Sequence, residues 1–203
     1  NFLESNSIPS KYIEMGCGSG YITFNVCKLL QNTDVTLSDI SEKAIDEVNV
    51  QLNLKSLKYK AIISNLFCNI DDNNFDLIVS DVAAISNELT AITNWYDGVS
   101  CDTGKDGLKL ITELLVKSKN YLSKSGSIIY PVLSLSDKVK LSMLTKKLFS
   151  KHEISVVTDT KKNKELWNSI GNVSTFSKTE TSIWRLSVKP TSGPKIMDTL
   201  LKS

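Results

Sequence analysis

Apolar residues recur along this chain at two spacings, and their alternation predicts a repeating order of strands and helices. Tyr12-Ile13 is a short apolar run. Ile22, Val26, Leu29 and Leu30 follow at helical spacing over residues 21–30. Residues 35–39 then read as a β-branched strand, 42–52 as a helix and 59–63 as a short third strand. The run Phe75-Asp76-Leu77-Ile78-Val79-Ser80 is apolar at nearly every position, as expected of a strand covered by helices on both faces. A helix over 108–122 carries Leu108, Ile111, Leu115 and Tyr121. Gly126 ends the following turn, and 127–132 form a fifth strand. A helix over 137–149, a strand at 154–157 and a last strand over 182–188 complete the pattern. Strands alternating with helices imply an α/β fold with a mostly parallel sheet and right-handed crossovers. Between 158 and 178 the sequence is polar and patternless, as in a lid or an inserted loop, and the stretch from Pro190 onward reads as a docked terminus.

Composition narrows the class. With 203 residues, 41% of them hydrophobic and 23% charged, the chain is expected to form a single globular domain with a substantial core. No apolar run reaches the ~20 residues of a membrane-spanning helix, and there is no signal-peptide pattern. Cys17, Cys27, Cys68 and Cys101 form no closely spaced pair, and His152 is the only histidine, which argues against a zinc site. Free thiols in a reducing cytoplasm are the expectation. The net charge of +2 creates no strong field toward nucleic acid, and Arg185 is the only arginine among 24 basic residues. The lysines at Lys146-Lys147 and at Lys161-Lys162-Lys164 are either solvated surface or a nucleic-acid contact.

Candidate chemistry concentrates after the first strand. Residues 14–20 read Glu-Met-Gly-Cys-Gly-Ser-Gly, a strand turning tightly into a helix. Glycine tolerates positive φ and lets a ligand approach the main chain. The spacing differs from the G-x-G-x-x-G of dinucleotide-binding folds, which disfavours a nucleotide-dependent oxidoreductase. Asp39, 19 residues past Gly20, ends the second strand. Its two oxygens suit the two hydroxyls of a ribose; equally, Asp39 and Ser41 precede a helix and suit an N-cap.

The order Glu14-x-Gly16-x-Gly18-x-Gly20, Val35-Thr36-Leu37-Ser38-Asp39-Ile40-Ser41, Ser64-Asn65-Leu66-Phe67, 75–80 and Gly104-Lys105-Asp106-Gly107-Leu108 resembles the small-domain methyltransferases. These are class I enzymes that use S-adenosyl-L-methionine. The group includes glutamine methyltransferases of release factors and several ribosomal RNA methyltransferases. The match covers roughly 11–135, which the resemblance makes the cofactor half; 136–190 would complete the sheet, and 191–203 is a tail. The resemblance implies a Rossmann-like fold with a seven-stranded sheet and a transferase activity. It also implies a cofactor site built from Glu14, Gly16, Cys17, Gly18, Gly20, Asp39, Ile40, Asn65, Leu66 and Asp81. Glu14 would orient the glycine loop and the methionine moiety, Asp39 the ribose. Asn65 stands where an acid usually meets the adenine amino group, and its side-chain carbonyl can accept the same bond. Cys17 is a small residue packed near the ligand rather than a nucleophile.

The chain departs from the group after the fourth strand. Glutamine and adenine N-methyltransferases carry Asn-Pro-Pro-Tyr there, and this chain has Asp81-Val82-Ala83-Ala84. Specificity for a planar amide or adenine therefore does not carry over, and the acceptor is unidentified: protein, RNA or small molecule. Asp81 either binds or deprotonates the nucleophile, as the candidate catalytic residue, or it caps a helix starting at Val82. Trp95 and Tyr96 either close over the substrate or sit at the core's edge. Only about ten residues precede the first strand, where release-factor enzymes have a helical recognition domain. A non-catalytic, methyltransferase-like scaffold is the alternative reading.

Overall fold

The alternating pattern folds into one twisted sheet with helices on both faces. The computed structural model describes residues 8–53, 57–92, 102–133, 137–150, 153–157 and 183–188. The strands are β1 (Lys11–Met15), β2 (Asp34–Asp39), β3 (Tyr59–Ile63), β4 (Phe75–Ser80), β5 (Leu122–Leu133), β6 (Glu153–Val157) and β7 (Ile183–Val188). Their order in the sheet is β3-β2-β1-β4-β5-β7-β6. The first five run parallel, and β7 is antiparallel to both β5 and β6. The helices are α1 (Tyr21–Val26), α2 (Glu42–Asn53), α3 (Asn87–Ile92), α4 (Lys109–Tyr121) and α5 (Lys138–Leu148).

Each central strand sends alternate side chains to opposite faces, and each face meets its own core. Tyr12, Val35, Leu37, Leu77 and Val79 pack with Ile45, Val48 and Leu52 of α2. Ile13, Met15, Ile78, Ile128 and Tyr130 pack with Ile111, Leu114 and Leu115 of α4 and Leu141 of α5. Many of these side chains are fully buried, each contributing about 1.5–3 kcal/mol by leaving water.

Several expected boundaries shift for local reasons. The helix expected over 21–30 breaks into α1 and a 3₁₀ turn, Cys27–Leu30. The fifth strand begins earlier than expected, at Leu122, and Gly126 lies inside it rather than ending a turn. A register irregularity occurs there, and a Cβ at Gly126 would meet the Phe75 carbonyl oxygen at 2.4 Å. Only glycine fits that close approach of two strands. No helix starts at Val82: residues 82–86 are irregular, and α3 begins at Asn87. The helix-cap alternative for Asp81 is thereby removed.

Sheet order fixes where a ligand fits. The chain leaves β1 toward β2 and β3, then returns to the other side of β1 as β4. Parallel sheets open a crevice beyond the carboxyl ends of their strands at such a reversal. The glycine loop and Asp81 follow those ends, and Asp39 is the last residue of β2.

Candidate functional site

The three glycines of the loop have positive φ, and each faces different surroundings. A Cβ on Gly16 (φ 66°) would meet Val82 Cγ1 at 3.0 Å and the Val82 nitrogen at 3.3 Å. Gly16 therefore docks the end of β4 against the loop. A Cβ on Gly20 would meet Val48 Cγ2 at 3.1 Å, so this glycine seats α2. Gly18 (φ 51°) has nothing within 4 Å of its Cβ position. Among the described residues, it alone of the three opens onto space that other atoms leave free.

Polar bonds hold this loop from below and from the side. Its floor is β2: the Gly16 and Cys17 N–H groups both donate to the Ser38 carbonyl, at 2.8 and 3.1 Å. Asp39 Oδ2 accepts from the Gly18 N–H at 2.9 Å, and Oδ1 accepts from the Ser41 N–H at 2.9 Å. The helix cap itself is Ser41, whose hydroxyl accepts from the Ala44 N–H at 3.3 Å. Asp39 thus organises the loop and the start of α2 together. Two bonds leave a carboxylate with further acceptor capacity.

Glu14 lies beneath the loop and is 1% exposed. Its Oε2 accepts from the Thr23 N–H at 3.0 Å, from the Tyr12 hydroxyl at 3.3 Å and from the Thr23 hydroxyl. These bonds tie β1 to the first turn of α1 and clamp both ends of the glycine loop. Burial, with a smaller contribution from the Asp81 charge, raises the Glu14 carboxyl to about 7, against the lowering effect of the Thr23 and Tyr12 bonds. Burial likewise pushes the Tyr12 hydroxyl far up, so it stays protonated and donates. The Cys17 thiol is raised by burial and by the charges of Glu14 and Asp39. Its side chain lies in the α2-side core, which excludes a thiolate nucleophile and leaves only its main chain for a ligand.

The turn after β3 is the third element. Leu66 has φ 48°, an uncommon conformation for a branched side chain, and is buried. Ser64 enforces it: its hydroxyl donates to the Leu66 carbonyl at 2.7 Å and accepts from the Asn69 N–H at 3.0 Å. The Ser64 N–H in turn donates to the Asp39 carbonyl at 2.8 Å. Asn65 is left exposed. Ile40 and Ile63 are also exposed, at 49% and 45%, at the tips of β2 and β3. Apolar side chains open at adjacent strand ends suit a flat, partly apolar ligand.

Asp81 follows β4, its N–H donating to the Met15 carbonyl at 3.0 Å, and is exposed. Val82 is half-buried against Gly16, while Ala83, Ala84 and Ile85 are buried. Of the predicted residues, Gly18, Asp39, Ile40, Asn65 and Asp81 lie at the open edge. Glu14, Gly16, Cys17, Gly20 and Leu66 act from beneath by holding loops. Trp95, Tyr96, Cys101, the polar stretch 158–178 and the Lys161-Lys162-Lys164 group lie outside the described residues. Sequence reasoning missed Thr23, Tyr12 and Ser64; a hydroxyl three residues past the last loop glycine and one just after β3 were the available signals. Among the described residues, no cluster of His, Cys, Asp and Glu could hold a metal ion, and no helix is long and apolar enough to cross a membrane.

Known proteins resemble this chain in sequence and in fold. Residues 2–82 match the methyltransferase small domain family. The ribosomal RNA small subunit methyltransferase C of Haemophilus influenzae is 28% identical over 123 residues, covering 61% of this chain and 32% of that protein. The ribosomal protein uL3 glutamine methyltransferase of Francisella tularensis is 28% identical over 126 residues, covering 59% of this chain and 40% of that protein. The chain thus spans about a third to two-fifths of these relatives. A 16S rRNA methyltransferase of T. Thermophilus, solved in complex with AdoMet and guanosine, superposes with a TM-score of 0.56 at 12% identity. That match covers 89% of this chain and 37% of the other, and it shows the Rossmann-like class I methyltransferase fold.

Proposed function

We propose that this protein is an S-adenosyl-L-methionine-dependent methyltransferase whose acceptor is a component of the ribosome. The observation that carries the donor site is the free space at Gly18, beside the Asp39 carboxylate and the exposed Ile40. A polar, ribose-bearing ligand fits those groups. Asp39 has acceptor capacity left for hydroxyls, and Asn65 stands exposed one turn away for the base. The two relatives described above are named for ribosomal RNA and for a ribosomal protein, which supports the choice of acceptor.

When bound, the donor supplies an electrophilic methyl group on a sulfonium. The chain's own task is to hold the nucleophile in line with that methyl group and to manage its proton. Asp81, exposed at the tip of β4, accepts a hydrogen bond or a proton from the nucleophile. Ala83 and Ala84, both buried, offer no ring to stack on a planar group. Among the described residues, Asp81 and the surrounding main chain are the groups placed to orient the acceptor.

Calorimetry with S-adenosylmethionine and with NADH tests the donor: binding of the first alone is expected, and preference for NADH overturns the reading. Transfer of a tritiated methyl group to ribosomal subunits from cells lacking the protein tests the acceptor. Nuclease and protease digestion of the product then separates RNA from protein.

A further inference from the structure

The segment leaving β4 raises a question that the donor site does not answer: what holds it? Residues 82–86 belong to neither strand nor helix, yet Ala83, Ala84 and Ile85 are 3%, 4% and 0% exposed. Buried irregular backbone needs partners from elsewhere. At its near end the segment rests on Gly16. At its far end it meets the loop at 102–109. Asn87 Oδ1 accepts from the Thr103 N–H at 2.8 Å and from the Thr103 hydroxyl at 2.9 Å. The Asn87 N–H donates to the Gly104 carbonyl at 2.9 Å. Thr103 itself is fully buried, and its carbonyl accepts from the Lys109 N–H at 3.0 Å, closing the loop. A Cβ on Gly107 would lie 2.8 Å from the Ile85 carbonyl carbon and 3.0 Å from the Ser86 nitrogen. The two backbones touch there, and Gly107 at φ 71° permits it. The loop is anchored outward as well, since Asp106 pairs with Lys140 of α5 at 2.6 Å.

We propose that the 102–109 loop is a positioning device for the acceptor side, in which Thr103 and Gly107 hold residues 82–87 so that Asp81 presents its carboxylate in one place. This rests on the proposed function, because it assigns Asp81 to the nucleophile. Thr103 and Gly107 hold the far end of the segment, away from its contact with Gly16, so the device acts on transfer more than on donor binding. Pre-organised geometry of this kind acts on turnover, because a displaced group costs rate without costing affinity.

Thr103→Val keeps the buried volume and removes only the hydroxyl. Its amides at 83–87 should exchange at least tenfold faster in the donor-bound protein. S-adenosylmethionine affinity should stay within twofold. With ribosomal subunits as the acceptor probe, kcat should fall at least tenfold with KM little changed, and Thr103→Ser should restore kcat to within threefold. Gly107→Ala, which pushes on Ile85 from the other side, should reproduce the effect if Thr103→Val folds poorly. Unchanged exchange at 83–87 overturns the proposal, as does a parallel loss of donor affinity and turnover, which would mean general loosening. Should the wild type modify no subunit, the ribosomal acceptor fails on its own, and the exchange experiment still decides the role of the loop.

Discussion

The two sides of the strand-end crevice are built by different means. On the donor side, side-chain polar groups do the holding: Glu14 receives three donors, Asp39 two, and Ser64 spans the turn after β3. On the acceptor side, burial and close main-chain contact join the Asn87–Thr103 bonds, with Ala83, Ala84 and Ile85 packed inward, Gly16 against Val82 and Gly107 against Ile85. The first mode fixes groups by directional bonds, which sequence can announce through residue type. The second fixes a segment largely by small residues and close backbone approach, and it leaves Asp81 exposed at the tip of β4.

Substituting the loop glycines separates the two sides most sharply. Gly16→Ala places a Cβ 3.0 Å from Val82 at a positive φ. The combined strain and overpacking should lower unfolding stability by about 2–4 kcal/mol in urea titrations. Gly18→Ala meets no neighbour and should cost only about 1 kcal/mol of stability, yet it fills the space proposed for the donor and should abolish S-adenosylmethionine binding by calorimetry. Equal destabilisation by the two changes would erase the distinction between a docking glycine and a ligand-facing one.

Next in size is the pH dependence set by Glu14. Its carboxyl is raised from 4.5 to about 7 by burial. A raised carboxyl means that the folded state binds the proton more tightly than the unfolded chain. Stability from this group is therefore full below about 4.5 and declines as the pH rises to about 7, by about 3 kcal/mol in total. Glu14→Gln should flatten the dependence of urea unfolding on pH between 4.5 and 8. A slope unchanged in the variant would assign the titration to another group.

Asp39→Ala should weaken S-adenosylmethionine and S-adenosylhomocysteine alike, by about 1.5–3 kcal/mol, since hydrogen bonds to a charged acceptor are lost and the Gly18 N–H loses its partner. A variant that melts early with unchanged affinity would reduce Asp39 to its structural role beside Ser41.

These sizes follow what sequence could and could not show. β3 and β4 were legible to the residue, because apolar runs bounded by polar turns leave little freedom. The glycine loop was legible as a ligand turn, but its division of labour was not, because that depends on Val48 and Val82, which the fold brings in from 28 and 66 residues beyond Gly20 and Gly16. The N-cap went to Ser41 rather than Asp39, since Asp39 turns one oxygen back toward Gly18, a contact 21 residues away along the chain. Helix α3 starts five residues later than a cap at Asp81 requires, because Ala83–Ile85 are drawn into the core and Ser86 supplies the hydroxyl that accepts from the Leu89 N–H. Local propensity carried no sign of that tertiary demand.

The smallest stability effect, and the most discriminating functional one, belongs to Asp81→Asn. The side chain is exposed, so the change should alter stability by no more than about 0.5 kcal/mol at pH 5, where Glu14 is protonated. Donor affinity should hold, because the residue stands on the acceptor side. Turnover should fall, because an amide keeps the size of the carboxylate but cannot take a proton. A second signature comes from Glu14, whose carboxyl the Asp81 charge raises. Removing that charge lets Glu14 ionise more easily, so the stability loss on raising the pH should become smaller in Asp81→Asn than in the wild type. If turnover is intact while this pH signature appears, Asp81 acts electrostatically on the loop and not on the nucleophile. If turnover falls and the signature is absent, the two sides of the crevice are electrostatically independent, and the coupling between Asp81 and Glu14 does not cross the close contact of Gly16 with Val82.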